Sequence, residues 1–407
     1  MLKNSTIFIL SNAKYDGEFQ STSYTIAKHL ANDNQVFYIE YPATQKDYLK
    51  HKNEASFIKK KPFYQKSSDG ILNTENHNLH ILITPLLLSI NFLPECSLYR
   101  FLLEYNEGLI SNRIKKVLKK FEIDEFIFIN SLNIYYPNIG KLIPSSLNVY
   151  HCVDPLVVSF DRKHGIKSEK IILENSDLVI CTSKQLYLEK KQQHPKTYFV
   201  PNAADISHSE KARNIYTNFH PLLKEIVKPI VGYFGNIERR IDYELLEKVF
   251  DQNPDKNFVF VGPVNDNLLP ATWYKKSNVH LIGRVPFEEM PSILKGFDVA
   301  IIPFKKDAVS NTIFPLKLFE YLGSGVPVVS TNFNEDLKDF TKQTVSYCAT
   351  VDEFSIALND AIENESIIRK NERVKIAEEN TWEKRAKEFS DLLENALAKK
   401  INNENIF

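Results

Sequence analysis

The chain alternates short apolar runs with helix-like segments, and this alternation repeats in two successive series. Strand-like runs separated by helical patterns are typical of parallel sheets covered by helices. The runs are TIFIL, QVFYIEYP, LHILIT, EFIFIN, NVYHCVD, DLVICTS and TYFVPN in the first series, then PIVGYFG, NFVFVG, NVHLIG, VAIIPF, PVVST and VSYCAT. The pattern predicts an α/β protein with two doubly wound, Rossmann-like domains and an interdomain cleft.

The boundary between the two domains is expected in a polar, charge-rich stretch. A chain of 407 residues is too long for one comfortable core and suits two domains of about 200 residues each. We place the first domain at 1–205 and the second at 229–380, with a linker at 206–228 that shows no strand period. Two such sheets can present two substrates at the carboxyl ends of their strands.

Composition excludes several classes of protein. The 51 basic and 51 acidic residues leave the chain neutral, so we expect no nucleic-acid partner. The four cysteines lie far apart without paired spacing, which argues against a zinc site or a disulfide framework and indicates a reducing compartment. No signal-peptide pattern follows the first residue, so the expected location is the cytoplasm.

Residues 314–331, FPLKLFEYLGSGVPVVST, combine a helix start, two charged side chains and a strand. Pro315 suits the first turn of a helix, whose positive end attracts a diphosphate. Lys317 and Glu320 lie one turn apart on one face, so the lysine can meet phosphate while the carboxylate accepts ribose hydroxyls. Gly323 is expected to end the helix. The segment predicts a nucleotide-sugar site; the alternative is an amphipathic helix with an ordinary surface pair.

This segment resembles the donor-site helix of retaining GT-B glycosyltransferases, especially bacterial members related to glycosyltransferase family 4. Further segments carry the resemblance in the family's usual order along nearly the whole chain: SNAKYDGEFQSTSYTIAKHLA, VYHCVD, SDLVICTSKQL, VPNAAD, GYFGNIERRIDYELL and TWEKRAKEF. The set is most similar to enzymes that build capsular, teichuronic or other bacterial cell-surface polysaccharides.

The resemblance implies a hexosyltransferase that retains anomeric configuration. It would move a hexose from a nucleoside diphosphate sugar, its donor substrate, to a glycan or lipid-linked acceptor. Glu320 would hold the nucleotide ribose and Lys317 would contact the diphosphate. Thr312 stands where many family members carry a second glutamate that contacts the donor hexose. A helix over about 382–400, containing Trp382, would pack back on the first domain.

Five more residues of the second domain are donor-site candidates. Gly235 ends the first strand of that domain, where the absence of a side chain lets backbone amides approach a phosphate. Arg239 or Arg240 could clamp the diphosphate and stabilise charge on the leaving group, with Arg240 slightly favoured; a solvated surface role is the alternative for each. Gly283 and Arg284 could border the base pocket or simply form a strand-terminating turn.

The first domain offers candidates at two strand ends. His151 and Asp154 lie at the end of the run VYHCVD, where family 4 enzymes often place a histidine or aspartate that orients hydroxyls or takes a proton. Asp154 is favoured as catalytic, because His151 lies three residues earlier on the opposite strand face and is more typical of a core histidine. Asp16 and Gly17 follow the first strand, where the family contacts its acceptor.

Two segments could make a peripheral contact with a membrane. The apolar stretch 79–94, LHILITPLLLSINFLP, is too short for a span and could form a loop that touches a lipid-linked acceptor or the membrane interface. The basic run 59–66 encloses two aromatic residues and could reinforce contact with anionic lipid. A packed loop and a solvated loop are the respective alternatives.

Other chemistries lack their motifs in this sequence. No Asp-X-Asp triplet is present, so we expect a metal-independent reaction with no metal and no cofactor. No GxGxxG follows the first strand and no GxxxxGK[ST] occurs, which disfavours a dehydrogenase and a P-loop hydrolase. Two alternatives to a transferase remain: a nucleotide-sugar epimerase of GT-B fold, and a catalytically degenerate subunit that binds nucleotide sugar without turnover.

Overall fold

The computed structural model describes residues 1–17, 21–157 and 160–404. The chain divides into two compact units. The first unit comprises Met1–Pro201 with Arg385–Phe407, and the second unit comprises Asn202–Lys384. The stretch 206–228, expected as a linker, differs from that expectation because it lies inside the second unit and contains short helical turns.

The first unit is built on an eight-stranded sheet. Its strands are β1 (Thr6–Ser11), β2 (Gln35–Ile39), β3 (Ile71–Asn73), β4 (Leu79–Leu82), β5 (Ile127–Ser131), β6 (Leu147–Cys152), β7 (Leu178–Cys181) and β8 (Thr197–Phe199), in the spatial order β3-β4-β2-β1-β5-β6-β7-β8. All neighbouring pairs are parallel except β3 with β4. The central strands are buried along their length, as the near-continuous apolar runs require when helices cover both faces of a sheet.

Helices connect these strands along the described part of the first unit. They are α1 (Thr22–Leu30), α2 (Gln45–His51), α3 (Ala55–Lys60), α4 (Ser97–Lys120), α5 (Ile139–Leu142), α6 (Ile166–Glu174) and α7 (Lys184–Lys191). A single 3-10 turn, Lys61–Tyr64, continues α3, and a π-helical turn, Asp161–Gly165, precedes α6. The sequence predicted seven of the eight strands and missed β3, an antiparallel edge strand of three residues that is too short to show a period.

The second unit holds a six-stranded parallel sheet. Its strands are β9 (Ile230–Phe234), β10 (Asn257–Val261), β11 (Val279–Gly283), β12 (Val299–Ile302), β13 (Val328–Thr331) and β14 (Val345–Cys348), in the order β11-β10-β9-β12-β13-β14. Its helices are α8 (Ile206–Ser209), α9 (Tyr243–Gln252), α10 (Met290–Leu294), α11 (Leu316–Ser324), α12 (Leu337–Thr341), α13 (Val351–Glu363) and α14 (Ile367–Glu379). The predicted α/β fold with two doubly wound, Rossmann-like sheets is confirmed.

Strand order reverses next to the first strand of each sheet, because β1 pairs with β5 and β9 pairs with β12. At such a reversal the connections leave in opposite directions and open a crevice at the carboxyl ends of the strands. The segments that follow β1, β9 and β12 are therefore the places where each sheet can bind a ligand.

The last helix, α15 (Trp382–Glu404), belongs to the first unit from Arg385 onward. Ser390 accepts a hydrogen bond from the Leu2 amide at 3.0 Å, and Lys400 donates to Asp177 at 2.8 Å. These contacts join the carboxyl-terminal helix to the amino-terminal part of the chain. None of the helices in the described ranges is long and apolar enough to cross a membrane.

Candidate functional site

Helix α11 is tied to the end of β9 by a tyrosine. The hydroxyl of Tyr321 accepts the amide hydrogen of Phe234 at 2.8 Å and donates to its carbonyl at 3.2 Å. The segment before the helix is held by side-chain amides, because Asn202 donates to the Phe314 carbonyl and Asn334 donates to the Ile313 carbonyl, both at 3.0 Å. The start of α11 is therefore fixed beside the strand reversal of the second sheet.

The N-cap residue of α11 provides no side-chain cap for the first turn of the helix. Pro315 is buried at the N-cap position with extended backbone and makes no side-chain hydrogen bond to the helix amides. Uncapped amides at a helix start carry partial positive charge that suits an anion. Thr312 lies in the preceding 3-10 turn, where its hydroxyl donates to the Val309 carbonyl at 2.7 Å.

The prediction that Gly323 ends α11 is wrong by two residues. Gly325, with φ of 81°, is the left-handed C-cap, whereas Gly323 lies inside α11. A Cβ atom at Gly323 would lie 2.4 Å from the Ser209 hydroxyl oxygen, so this glycine permits close packing of the helix against α8. The glycine that ends the helix is the one adjoining β13.

Lys317 projects from the first turn of α11 between aromatic rings. Its ammonium lies 3.8 Å from the Tyr233 ring centroid and 5.5 Å from that of Phe304. Within the described ranges it makes no hydrogen bond or ion pair. Burial and, to a smaller extent, the neighbouring Arg240 lower the pKa of Lys317 to about 7, against an opposing effect of Glu320. The site thus holds a cation that lacks an anionic partner.

Glu320 lies one turn further along α11 and is only 8% exposed. Burial raises the pKa of this carboxyl to about 7, Lys317 opposes the rise, and Asp205 adds to it. No described residue donates a hydrogen bond to it or forms an ion pair with it. The surface-pair alternative is therefore wrong. A buried carboxylate without a donor is costly unless a ligand supplies hydrogen bonds.

Glycines make room for this lysine. Gly235 follows β9 with φ of 144°, and a Cβ atom there would lie 2.3 Å from the Lys317 ammonium. Gly262 follows β10, and a Cβ there would lie 2.1 Å from the Gly235 carbonyl oxygen. The Gly235 amide already donates to the Val261 carbonyl at 2.8 Å. This glycine thus provides space for the lysine.

The two candidate arginines occupy different surroundings. Arg240 donates from Nε to the Glu238 carboxylate, and its guanidinium lies 5.5 Å from the Phe304 ring that also faces Lys317. Arg239 is exposed. The structure therefore brings Arg240, rather than Arg239, beside Lys317.

Gly283 and Arg284 lie at the end of β11, two strands from β9. The Gly283 carbonyl accepts the Gly262 amide at 2.7 Å, which links it to the glycine that packs on Gly235. Gly283 has φ of 80° and open space where a Cβ would stand, and Arg284 is exposed. The three glycines at the ends of β9, β10 and β11 thus form one edge of the site.

His151 lies inside the core of the first unit. Its Nδ1 is 2.9 Å from the Ser131 hydroxyl, and its ring meets the Phe389 ring edge to face at 5.1 Å. Burial lowers the pKa of His151 to about 3. These surroundings favour the core role considered as the alternative over proton transfer. Asp154, two residues beyond β6, is exposed at the carboxyl end of that strand.

Asp16, the acceptor-side candidate after β1, is part of a hydrogen-bonded cluster. It accepts from the Ser56 hydroxyl at 2.7 Å and from the Lys60 ammonium at 2.8 Å. Burial opposes ionisation, but these hydrogen bonds outweigh it and lower the pKa of Asp16. The Gly17 amide, next in the chain, closes a turn onto the Lys14 carbonyl at 3.4 Å.

Sequence reasoning missed the other two charged members of this cluster. Lys60 is 2% exposed and donates to Glu40 at 2.9 Å as well as to Asp16. Its inward position removes Lys60 from the charges of the basic run 59–66 that could contact lipid or solvent. Glu40 directly follows the buried strand β2, and a carboxylate at a strand end was the signal available in the sequence.

Comparison with known proteins supports the class of protein that was inferred from the sequence. Residues 228–364, within the second unit, match the family described as Glycosyl transferases group 1. The chain is similar in structure to α,α-trehalose-phosphate synthase (UDP-forming) from Burkholderia vietnamiensis, with a TM-score of 0.71 and 9% identity over 98% of each chain. HepE of Anabaena, solved with UDP and glucose, gives a TM-score of 0.59 at 13% identity over 95% of this chain and 99% of that one. The fold is GT-B, and the inferred resemblance to GT-B glycosyltransferases is confirmed.

One protein is similar to this chain in sequence as well. TuaH of Bacillus subtilis (strain 168), whose name assigns it to teichuronic acid biosynthesis as a glycosyltransferase, is 26% identical over 213 residues. The alignment covers 48% of this chain and 53% of TuaH, so the chain spans about half the length of that relative.

Proposed function

We propose that this protein is a glycosyltransferase that moves a hexose from a nucleoside diphosphate sugar to a glycan or lipid-linked acceptor, in the synthesis of a bacterial cell-surface polysaccharide. The observation that carries the proposal is the pair Lys317 and Glu320. Both charged groups are fixed on one face of α11 and lack hydrogen-bonding partners among the described residues. A ligand with phosphates and vicinal hydroxyls would satisfy both.

In this proposal the second unit binds the donor. Lys317, Arg240 and the uncapped start of α11 hold the diphosphate and stabilise the charge that develops on it as the glycosidic bond breaks. An entering diphosphate would raise the pKa of Lys317 and keep it charged. Glu320 accepts hydrogen bonds from the ribose, and the glycine edge at Gly283 leaves room for the base. These cations supply positive charge without a metal.

The acceptor would bind to the first unit near Asp154 and Asp16. Asp154 is the candidate that orients or deprotonates the acceptor hydroxyl, because it is exposed at a strand end. Retention of anomeric configuration, metal independence and a cytoplasmic location are parts of the same proposal. The family resemblance supports retention, the lack of an Asp-X-Asp triplet supports metal independence, and the cysteine pattern supports the location.

Thermal unfolding against UDP, GDP, CMP and dTDP tests donor binding. A diphosphate at about a hundred times its Kd should stabilise the wild type by roughly 2.7 kcal/mol. Glu320→Ala should lose this response, while Glu372→Ala, a control at an exposed position of α14, should keep it. Equal responses of both variants, or no response of the wild type to any diphosphate, would overturn the proposed site.

Thr312 supports the alternative of a degenerate subunit. Its side chain is shorter than the glutamate that many relatives carry at this position, and its hydroxyl already donates a hydrogen bond to the Val309 carbonyl. Donor consumption that requires an added acceptor would establish the transferase. Isomer formation without an acceptor would indicate an epimerase, and binding without turnover would indicate the degenerate subunit.

A further inference from the structure

An apolar surface is exposed on the first unit where α2, the loop after β4 and the start of α4 meet. We call it the α2–α4 surface; its large apolar side chains are Leu49, Phe92, Leu98, Phe101 and Tyr105, all exposed. Phe92 is 77% and Phe101 67% exposed. Leu98, Phe101 and Tyr105 are spaced by three and four residues and so share one face of α4. A contiguous group of this kind marks an interaction surface.

A shallow groove joins the helices of this surface. Its volume is about 450 Å³, and it runs between Leu49 on α2, Phe92 in the loop and Leu102 on α4. Leu88, Ile90 and Leu93 add to its apolar lining. The apolar side chains of the two helices and the loop are therefore continuous.

Lysines surround the apolar side chains. Lys46 lines the groove. The Lys163 ammonium donates to the Phe92 carbonyl at 2.9 Å, which places a cation at the base of the most exposed side chain of this surface. The Lys66 ammonium lies 5.7 Å from the Tyr105 ring centroid and donates to its hydroxyl at 3.2 Å.

Two more cations border Phe101 and neutralise a nearby acid. Arg100, Lys167 and the buried His164 all hydrogen-bond to the Glu95 carboxylate at 2.6 to 3.0 Å. Although burial opposes it, these contacts lower the pKa of Glu95 to about 2. Five cations (Lys46, Lys66, Arg100, Lys163 and Lys167) thus line or contact the surface against two acids (Glu95 and Glu104), an excess of three positive charges.

We propose that the α2–α4 surface docks the first unit on an anionic lipid bilayer. The aromatic and aliphatic side chains would enter the interface while the lysines meet phosphate headgroups. Charge argues against a second copy of this chain as the occupant, because a symmetric contact would bring two positive rims together. The inference rests on the proposed function only in that a docked transferase would meet a lipid-linked acceptor.

Vesicle co-sedimentation of the full chain tests this surface. The probes are phosphatidylcholine vesicles with and without phosphatidylglycerol. We expect binding to the anionic vesicles that Phe92→Ser/Phe101→Ser weakens by about tenfold or more. The control Ile356→Ser/Ile368→Ser removes two similarly exposed apolar side chains from α13 and α14 and should bind like the wild type. Lys46→Gln should weaken binding by about fivefold.

Three results would overturn the proposal: no binding of the wild type to anionic vesicles, unchanged binding by the phenylalanine variant, or an equal loss in the isoleucine control. Sedimentation velocity of the free proteins adds the remaining outcome, because self-association abolished by the phenylalanine substitutions, without vesicle binding, would assign the surface to a dimer. Glu320→Ala should bind vesicles normally, so failure of the donor site and failure of the membrane surface are distinguishable.

Discussion

In the first unit Lys60 lies between two carboxylates that both accept its hydrogen bonds, whereas in the second unit Lys317 lies between two aromatic rings and has no such acceptor among the described residues. Glu40 and Glu320 differ in the same way. Both carboxyls are buried and both have a raised pKa, but only Glu40 has an ammonium within hydrogen-bond distance.

The contrast separates two uses of buried charge. Ions that satisfy one another hold segments together, and removing one partner leaves the other uncompensated. Ions without partners lower the stability of the free protein and are typical of sites that a ligand completes. Substitutions in the cluster of Lys60 should therefore change the stability of the fold, whereas substitutions of Lys317 and Glu320 should change ligand binding.

The largest loss of stability is expected from Lys60→Met. This substitution keeps the volume but leaves Glu40 and Asp16 without their cation, so the free energy of unfolding should fall by about 3 kcal/mol. Urea or thermal denaturation measures the loss. Because Lys60 is not part of the proposed donor site, the remaining folded protein should still be stabilised by the nucleotide.

Lys59→Met is the matched control. Lys59 is adjacent and exposed, and its ammonium lies 5.6 Å from the Tyr15 ring centroid. Its loss should change stability by no more than about 0.5 kcal/mol. If the two methionine variants were equally stable, the cluster of Lys60 would not hold the first unit together.

Gly235→Ala should have an intermediate effect on stability and a full effect on binding. An alanine at φ of 144° is strained, so the free energy of unfolding should fall by roughly 2 kcal/mol. Its methyl group would also occupy the position of the Lys317 ammonium and displace that side chain. We expect the nucleotide to lose its stabilising effect although Lys317 and Glu320 are both still present.

Gly108→Ala is the control for this substitution. Gly108 lies in the middle of α4 with open space around a Cβ, so alanine should be neutral or stabilise by up to about 1 kcal/mol. Retained nucleotide binding by Gly235→Ala would show that the lysine does not need the space that the glycine leaves.

Local sequence predicted the features that depend on neighbours along the chain. The strands of both sheets follow from apolar runs, and the shared face of Lys317 and Glu320 follows from helix period. The end of α11 was misplaced by two residues, because two glycines both suit a helix end. The choice of Gly325 depends on where β13 begins and on the packing of Gly323 against Ser209.

Contacts between segments that are distant in sequence could not be predicted from the sequence pattern. Asp16, Glu40 and Lys60 come from three separate parts of the chain, and Lys60 was interpreted as one charge in a solvated basic run. The α2–α4 surface likewise draws on α2, a loop and α4, of which only the loop lies in the apolar stretch 79–94, where membrane contact was one alternative. Proximity of this kind depends on tertiary packing, which periodicity does not encode.

Glu320→Gln should cost no stability and gives the most direct test of the contrast. The pKa of Glu320 is raised from its ordinary 4.5 to about 7 in the folded protein, so the wild type loses stability as pH rises through that interval and its carboxyl ionises. The amide does not ionise. The variant should therefore gain on the wild type between these pH values, by up to about 3 kcal/mol at pH 8, because each pKa step corresponds to about 1.4 kcal/mol.

The measurement is the free energy of unfolding of both proteins at pH 4.5 and pH 8, without nucleotide and then with it. Without ligand the variant should be equal or more stable at pH 8, whereas saturating nucleotide should favour the wild type, because an amide accepts ribose hydroxyls less strongly than a carboxylate. A variant less stable than wild type at pH 8 without ligand would mean that Glu320 already has a partner in the free protein. Its role would then match that of Glu40, and the distinction between the two clusters would fail.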